Sequence, residues 1–160
     1  MRPSPIFRRG TPPDPLEKAT AERILSLRRW TEKLFSVRVS RSASFRFVPG
    51  QWARLGVASG SGLAGGVVWR PYSMASAAHD EYLEFFSILV PGGAFTTRLA
   101  DARVGDTLYV EKEPYGFLTT ARFTGGRHLW LLASGTGVGT VPPWEPASNR
   151  SRTHRRAPRN

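Results

Sequence analysis

Cysteine is absent from the 160 residues, which excludes disulfides, cysteine-ligated zinc or iron–sulfur clusters, and a cysteine nucleophile. Histidine is nearly as scarce. His79, His128 and His154 stand far apart and share no ligand spacing, so no metal site is expected. No apolar run approaches the ~20 residues of a membrane helix, and the proline-rich start lacks the hydrophobic stretch of a signal peptide. A cytoplasmic protein with no membrane contact is expected, and any redox chemistry must come from a bound organic cofactor.

Acidic residues are also few, 12 against 23 lysines and arginines, for a formal net charge of +11. Such an excess raises a nucleic-acid hypothesis. Its distribution argues against one. Residues 140–160 carry Arg150, Arg152, Arg155, Arg156 and Arg159 against Glu145 alone, which is +4 of the +11, in a segment without apolar periodicity. Arginine outnumbers lysine 20 to 3, a bias that a GC-rich coding sequence produces without selection for phosphate contacts. Solvated charge is favoured over a phosphate-binding surface. The competing reading is a non-enzymatic basic protein that binds nucleic acid or acidic surfaces.

With 40% hydrophobic residues, the chain can bury one good core but is short for two domains. Residues 1–17 hold five prolines and three arginines, have little to pack, and read as a disordered arm. Short β-type segments follow: Arg23 to Trp30, Leu34 to Ser40, Phe45 to Phe47, Trp52 to Val57, Val67 to Met74, Tyr82 to Val90 and Thr107 to Glu111. Separated by turn residues, they suggest an antiparallel barrel or sandwich. Ala58 to Gly66, rich in Gly, Ser and Ala, reads as a surface loop. Phe95 to Ala102 has helical character, with Thr96 and Thr97 as plausible N-caps. Leu129 to Ala133 is a continuous apolar run ending in Ser134-Gly135-Thr136-Gly137-Val138-Gly139, the opening of a parallel α/β unit. The helix that should follow is missing from the pattern.

Two stretches carry chemistry suited to a flavin. In Arg70-Pro71-Tyr72-Ser73, the arginine can hold a pyrophosphate bidentately, the tyrosine can stack on a flat ring, and the serine can hydrogen-bond a ring edge or a phosphate. Val90-Pro91-Gly92-Gly93-Ala94-Phe95-Thr96-Thr97-Arg98-Leu99 is a glycine turn feeding a short helix, whose unpaired N–H groups favour an anion. Glu113-Pro114-Tyr115-Gly116-Phe117 and the segment from Leu129 to Gly139 then follow. Each piece alone has an ordinary structural explanation, a strand end or a helix cap.

In this order, Pro-Gly-Gln, Arg-x-Tyr-Ser, Gly-x-Phe-Thr, Gly-Phe and Leu-Leu-Ala-Ser-Gly-Thr-Gly resemble the ferredoxin reductase family, most closely its bacterial ferredoxin/flavodoxin–NADP(+) reductase branch, over roughly residues 18–139. The resemblance implies a mainly β fold: a six-stranded antiparallel Greek-key FAD-binding barrel with a short helix over residues 18–124, then the first strand and glycine turn of a Rossmann-like NADP domain over 125–139. It implies that Arg70, Pro71, Tyr72 and Ser73 contact FAD, with Tyr72 and Ser73 nearest the flavin ring. Phe86, Ser87, Ile88 and Leu89 would line the flavin through backbone contacts, Ala94, Phe95 and Thr96 would wrap the pyrophosphate, and Thr136 would lie where the domains meet. In such enzymes electrons pass between NADP(H) and ferredoxin or flavodoxin through FAD, and a monomer is expected.

The resemblance stops at residue 139. Family members continue with roughly a hundred residues that bind NADP(H), whereas here a basic tail over 140–160 is expected to be aberrant and disordered. Thr140-Val141-Pro142-Pro143-Trp144 can be encoded so that a one-base shift reads Pro-Phe-Leu-Leu-Gly, close to the family pattern, which makes a frameshift the leading explanation. A truncated chain without NADP-dependent activity is the resulting expectation.

Overall fold

In the computed structural model of the chain, residues 16–60, 62–119, 125, 127–128 and 130–140 are described. Most of the expected arm at 1–17 and all of the tail beyond 140 lie outside them. The elements run β1 (Ala19–Arg29), β2 (Leu34–Ser40), β3 (Trp52–Gly60), β4 (Gly62–Ser73), β5 (Tyr82–Ile88), α1 (Thr96–Asp101), β6 (Thr107–Glu111) and a 3-10 turn, Gly135–Thr140.

Alternation creates the strands and their inner face. Phe35, Val37 and Val39 on β2, Ala53, Leu55 and Val57 on β3, Leu83 and Phe85 on β5, and Leu108 and Val110 on β6 are all buried. These residues recur at every second position, so one pleat face meets the core and the other meets solvent. Phe95 and Leu99, from the start of α1, close the same core from the side. Each large side chain buried this way stabilises by roughly 1.5–3 kcal/mol.

All six strands pair antiparallel in the order β4-β3-β6-β1-β2-β5. β1 is shared between two ladders. Ala19 to Arg23 pair with β6, and Ile24 to Arg29 pair with β2, with an irregularity between Ile24 and Ser26. A bulge bends its strand and increases local twist, so β1 turns the corner and the sheet curls into a half-barrel. The edge strands β4 and β5 are thereby brought face to face. Two bonds pin that seam: Ala75 N–H donates to Glu84 C=O at 2.7 Å, and Glu84 N–H donates to Ser76 Oγ at 3.2 Å.

Six antiparallel strands and one short helix are as expected, but several boundaries are not. Phe45 to Phe47 is not a strand. It is a loop whose two phenylalanines are buried, their rings 6.0 Å apart, while the Arg41 guanidinium donates to Phe45 C=O. Ala58 to Gly66 is not a plain surface loop either, because β3 continues to Gly60 and β4 starts at Gly62. Glycine and serine do not fill a core there, but backbone pairing needs no side chain, and Ser59 Oγ adds bonds to the Gly65 and Gly66 carbonyls. Neither Thr96 nor Thr97 caps α1. The N-cap is Phe95, and the Thr96 hydroxyl is engaged with the Val90 backbone instead.

The expected parallel strand from Leu129 to Ala133 is corrected over 130–133, Leu129 itself lying outside the described residues. Residues 130–133 are not strand, and Trp130 and Leu132 are 84% and 91% exposed. An interior parallel strand needs neighbours at both edges, and among the described residues no strand lies beside this one. The glycine-rich stretch after it is a 3-10 turn docked on β5.

Candidate functional site

A groove of about 330 Å³ opens at the seam between β4 and β5. Pro71, Tyr72 and Ser73 wall it from β4, Phe86, Ser87 and Ile88 from β5, Val90 from the turn before α1, Thr96 from the first residue of α1, and Thr136 and Gly137 from the 3-10 turn. Segments as far apart as residues 71 and 137 meet here because the sheet curls until its edges face each other.

Tyr72 is the centre of the wall. Its ring lies 5.3 Å from that of Phe95 at a 32° tilt and 6.4 Å edge-on from Phe85. Its hydroxyl and Ser87 Oγ share a 2.8 Å hydrogen bond across the seam, and Ser87 is only 1% exposed. Stacking and hydrogen bond together hold the ring in one orientation.

The backbone of β5 supplies a second kind of surface. Glu84 turns its N–H and C=O toward the seam, whereas Leu89 N–H donates to Lys33 C=O on the β2 side. Ladder bonds alternate sides along a strand, so the amide and carbonyl groups of Phe86 and Ile88 face the seam as Glu84 does. The groove thus combines an aromatic ring, hydroxyls from Ser73, Thr96 and Thr136, and a row of peptide donors and acceptors. Such a surface can receive a flat heteroaromatic ring that hydrogen-bonds along its edge.

The 3-10 turn is fitted to its place by size. A Cβ at Gly139 would lie 3.0 Å from Phe86 Cδ2 and 3.4 Å from Ala75 Cβ, so glycine lets this turn close against β5. Phe86 is supported on its outer face by Trp30, with ring centroids 5.9 Å apart. Trp30 in turn carries the Arg28 guanidinium 3.8 Å over its ring.

Burial pushes the Tyr72 hydroxyl above its usual pKa of 10.0, against opposing effects from the Ser87 hydrogen bond and the Arg70 charge. The folded protein therefore holds this proton more tightly than the unfolded chain does. The resulting stabilisation is full below the unfolded value, near pH 10, and is lost as pH rises through the folded one. The parent should lose stability between pH 9 and 11 more steeply than Tyr72→Phe, which has no proton to lose, in denaturant titrations across that range. Parallel curves would show that Tyr72 is not buried as described.

Of the twelve residues singled out in the sequence, eight wall the groove. Arg70 stands beside it on β4 opposite Leu55, its Nη1 folded back on the Trp69 carbonyl at 2.8 Å. Phe95 lies behind the wall as the support of Tyr72, Leu89 packs against the core, and Ala94 offers its carbonyl to Arg98. Val90 and Gly137 were not foreseen as wall residues. Both belong to the quoted glycine motifs, but their place depends on where those turns fold.

A curled antiparallel sheet with an aromatic and open-edge groove at its seam defines a β-barrel cofactor-binding domain. A family model described as an FAD-binding domain matches residues 19–113, and the chain belongs to that family. It is 48% identical over 119 residues to the ferredoxin–NADP reductase A of Sorangium cellulosum, covering 74% of this chain and 41% of that protein. To the ferredoxin–NADP reductase of Azotobacter vinelandii it is 39% identical over 123 residues, covering 77% and 46%. Among solved structures it is similar to a ferredoxin NADP+ reductase from Neisseria gonorrhoeae with bound FAD and NADP, at a TM-score of 0.64 and 38% identity, covering 69% of this chain and 43% of that one. The chain spans less than half the length of these relatives.

Proposed function

We propose that the groove at the β4–β5 seam binds the flavin ring of FAD, and that the chain is the flavin-holding part of a reductase that passes electrons between NADP(H) and ferredoxin or flavodoxin. One observation carries this reading: the Tyr72 ring, fixed by Phe95 and Ser87, faces a groove whose opposite wall is the open edge of β5. The donor set fits the group. A flavin presents a flat apolar face to an aromatic ring and carbonyl and N–H groups to peptide partners, and a volume of about 330 Å³ is within the size range of small-molecule sites.

In this reading Pro71, Tyr72 and Ser73 contact the ring, with Tyr72 and Ser73 nearest to it, and Phe86, Ser87, Ile88 and Leu89 form its other wall. Ala94, Phe95 and Thr96 line the turn that receives the pyrophosphate, toward which Arg70 swings from the Trp69 carbonyl. Thr136 closes the groove from the far side. The bound flavin supplies the redox chemistry, and the chain orients it and sets its surroundings. We further propose a monomeric cytoplasmic protein in which residues 18–124 are the FAD-binding barrel and 125–139 open the NADP-binding domain. No helix among the described residues is long and apolar enough to cross a membrane.

The purified chain should be yellow or become so with added FAD, binding one equivalent. Arg70→Ala should raise the FAD dissociation constant at least tenfold, the effect of losing a charge-assisted hydrogen bond of roughly 1.5–3 kcal/mol. Arg103→Ala, at an exposed turn, should change it little. A colourless protein that takes up no FAD would defeat the proposal, and equal effects from the two arginines would remove Arg70 from the site.

A further inference from the structure

The turn from Val90 to Arg98 is held from two sides. Within it, Gly93 N–H donates to Val90 C=O at 2.9 Å, Thr97 N–H donates to Gly93 C=O at 3.1 Å, and Thr96 Oγ1 bonds both backbone groups of Val90. Outward, besides the packing of Phe95 on Tyr72, the Arg98 side chain ties it by hydrogen bonds to a distant element. Arg98 Nη1 donates to Ala94 C=O at 2.7 Å, and its Nη2 donates to Ser59 C=O at 2.9 Å, near the end of the β3–β4 hairpin and 39 residues away in sequence.

An exposed arginine on one carbonyl is ordinary and contributes little. A planar fork that spans two carbonyls from separate elements is different, because each can stay satisfied only while the elements keep their spacing. Both ends of the fork are tied to local structure. Ser59 is fixed by its hydroxyl on the Gly65 and Gly66 carbonyls. Ala94 immediately precedes Phe95, which backs Tyr72, and Thr96, which walls the groove.

We propose that Arg98 is a positioning residue for the phosphates of the cofactor: its fork fixes the Ala94–Thr96 turn against the β3–β4 hairpin, so that the peptide groups of this turn are set before the phosphates arrive. The inference rests on the flavin-binding reading above and adds to it a residue that touches neither ring nor core. Preorganisation of this kind acts only on ligands that use the turn. Loss of the fork should therefore weaken phosphate-bearing flavins and spare riboflavin, which ends before the turn.

The test measures dissociation constants of FAD, FMN and riboflavin by flavin fluorescence for the parent, Arg98→Met and Arg98→Lys, with thermal unfolding of each apoprotein to establish that the variants fold. Methionine keeps the aliphatic stem without donors, while lysine keeps the charge without the fork. Both variants should raise the FAD and FMN constants about tenfold and leave riboflavin within about twofold of the parent. A lysine variant equal to the parent would show that charge alone acts, and equal weakening of all three flavins would show general loosening. Either result, or no change at all, overturns the proposal. A parent that binds riboflavin as tightly as FAD overturns the inference alone, because the phosphates then contribute nothing, whereas a parent that binds none of the three flavins overturns the reading of the site itself, and the inference with it.

Discussion

Tyr72→Ala should yield a protein that retains no FAD and is less stable by about 3 kcal/mol, the scale set by truncating a large aromatic in a packed site. The ring contributes twice. It packs on Phe95 and Phe85, and it forms the groove wall, so alanine leaves a cavity behind the wall and removes the stacking surface in front. Tyr72→Phe separates the two roles. It keeps the ring but leaves Ser87 Oγ, at 1% exposure, without its cross-seam partner, at a cost of about 1–3 kcal/mol. That variant should still bind FAD, more weakly than the parent. Urea denaturation and flavin content of the purified proteins measure both quantities, and full flavin content in Tyr72→Ala would take Tyr72 out of the site.

The second large effect lies away from the groove. Gly50 has φ of +93°, and a Cβ there would sit 1.6 Å from the Leu118 carbonyl oxygen and 2.7 Å from its carbon. No rotation of a side chain relieves that contact, because both partners are backbone. The segment is held close by its neighbours: Trp52 and Tyr115 exchange two backbone hydrogen bonds, at 2.8 and 2.7 Å, and their rings stack at 4.9 Å. Gly50→Ala should cost about 3 kcal/mol or more, combining a left-handed backbone with a displaced chain. Gly92 is the control. Its φ is +72°, but a Cβ there meets nothing within 4 Å, so Gly92→Ala should cost only the backbone penalty of about 1–2 kcal/mol. Equal losses of stability for the two alanine variants would show that the chain after Tyr115 is not held against Gly50.

Both effects depend on contacts between segments distant in sequence, and there the legibility of the sequence divides. β2 and β6 were placed to the residue, because alternation of Phe35, Val37 and Val39 and of Leu108 and Val110 is a local signal that tertiary packing only confirms. The β3–β4 hairpin was misread at Ala58 to Gly66 because small residues suggest a loop when no partner strand is visible. Leu129 to Ala133 erred in the opposite direction. Its apolar run is locally strand-like, but a strand exists only as part of a ladder.

By itself the sequence determined the chemical types at the site and their order: an aromatic with hydroxyls at Tyr72 and Ser73, a β-strand from Tyr82 that was read on to Val90 and that the structure ends at Ile88, and tight glycine turns at 92–93 and 135–139. These are local properties, carried by residue type and spacing. Only the tertiary structure decided that the bend in β1 brings β4 and β5 together and that Ser87 reaches Tyr72. The same is true of Phe95 lying behind the wall, Arg70 resting on Trp69, and Arg98 bridging to Ser59. Those relations depend on sheet curvature and side-chain direction, which are set by every strand at once and by no segment alone.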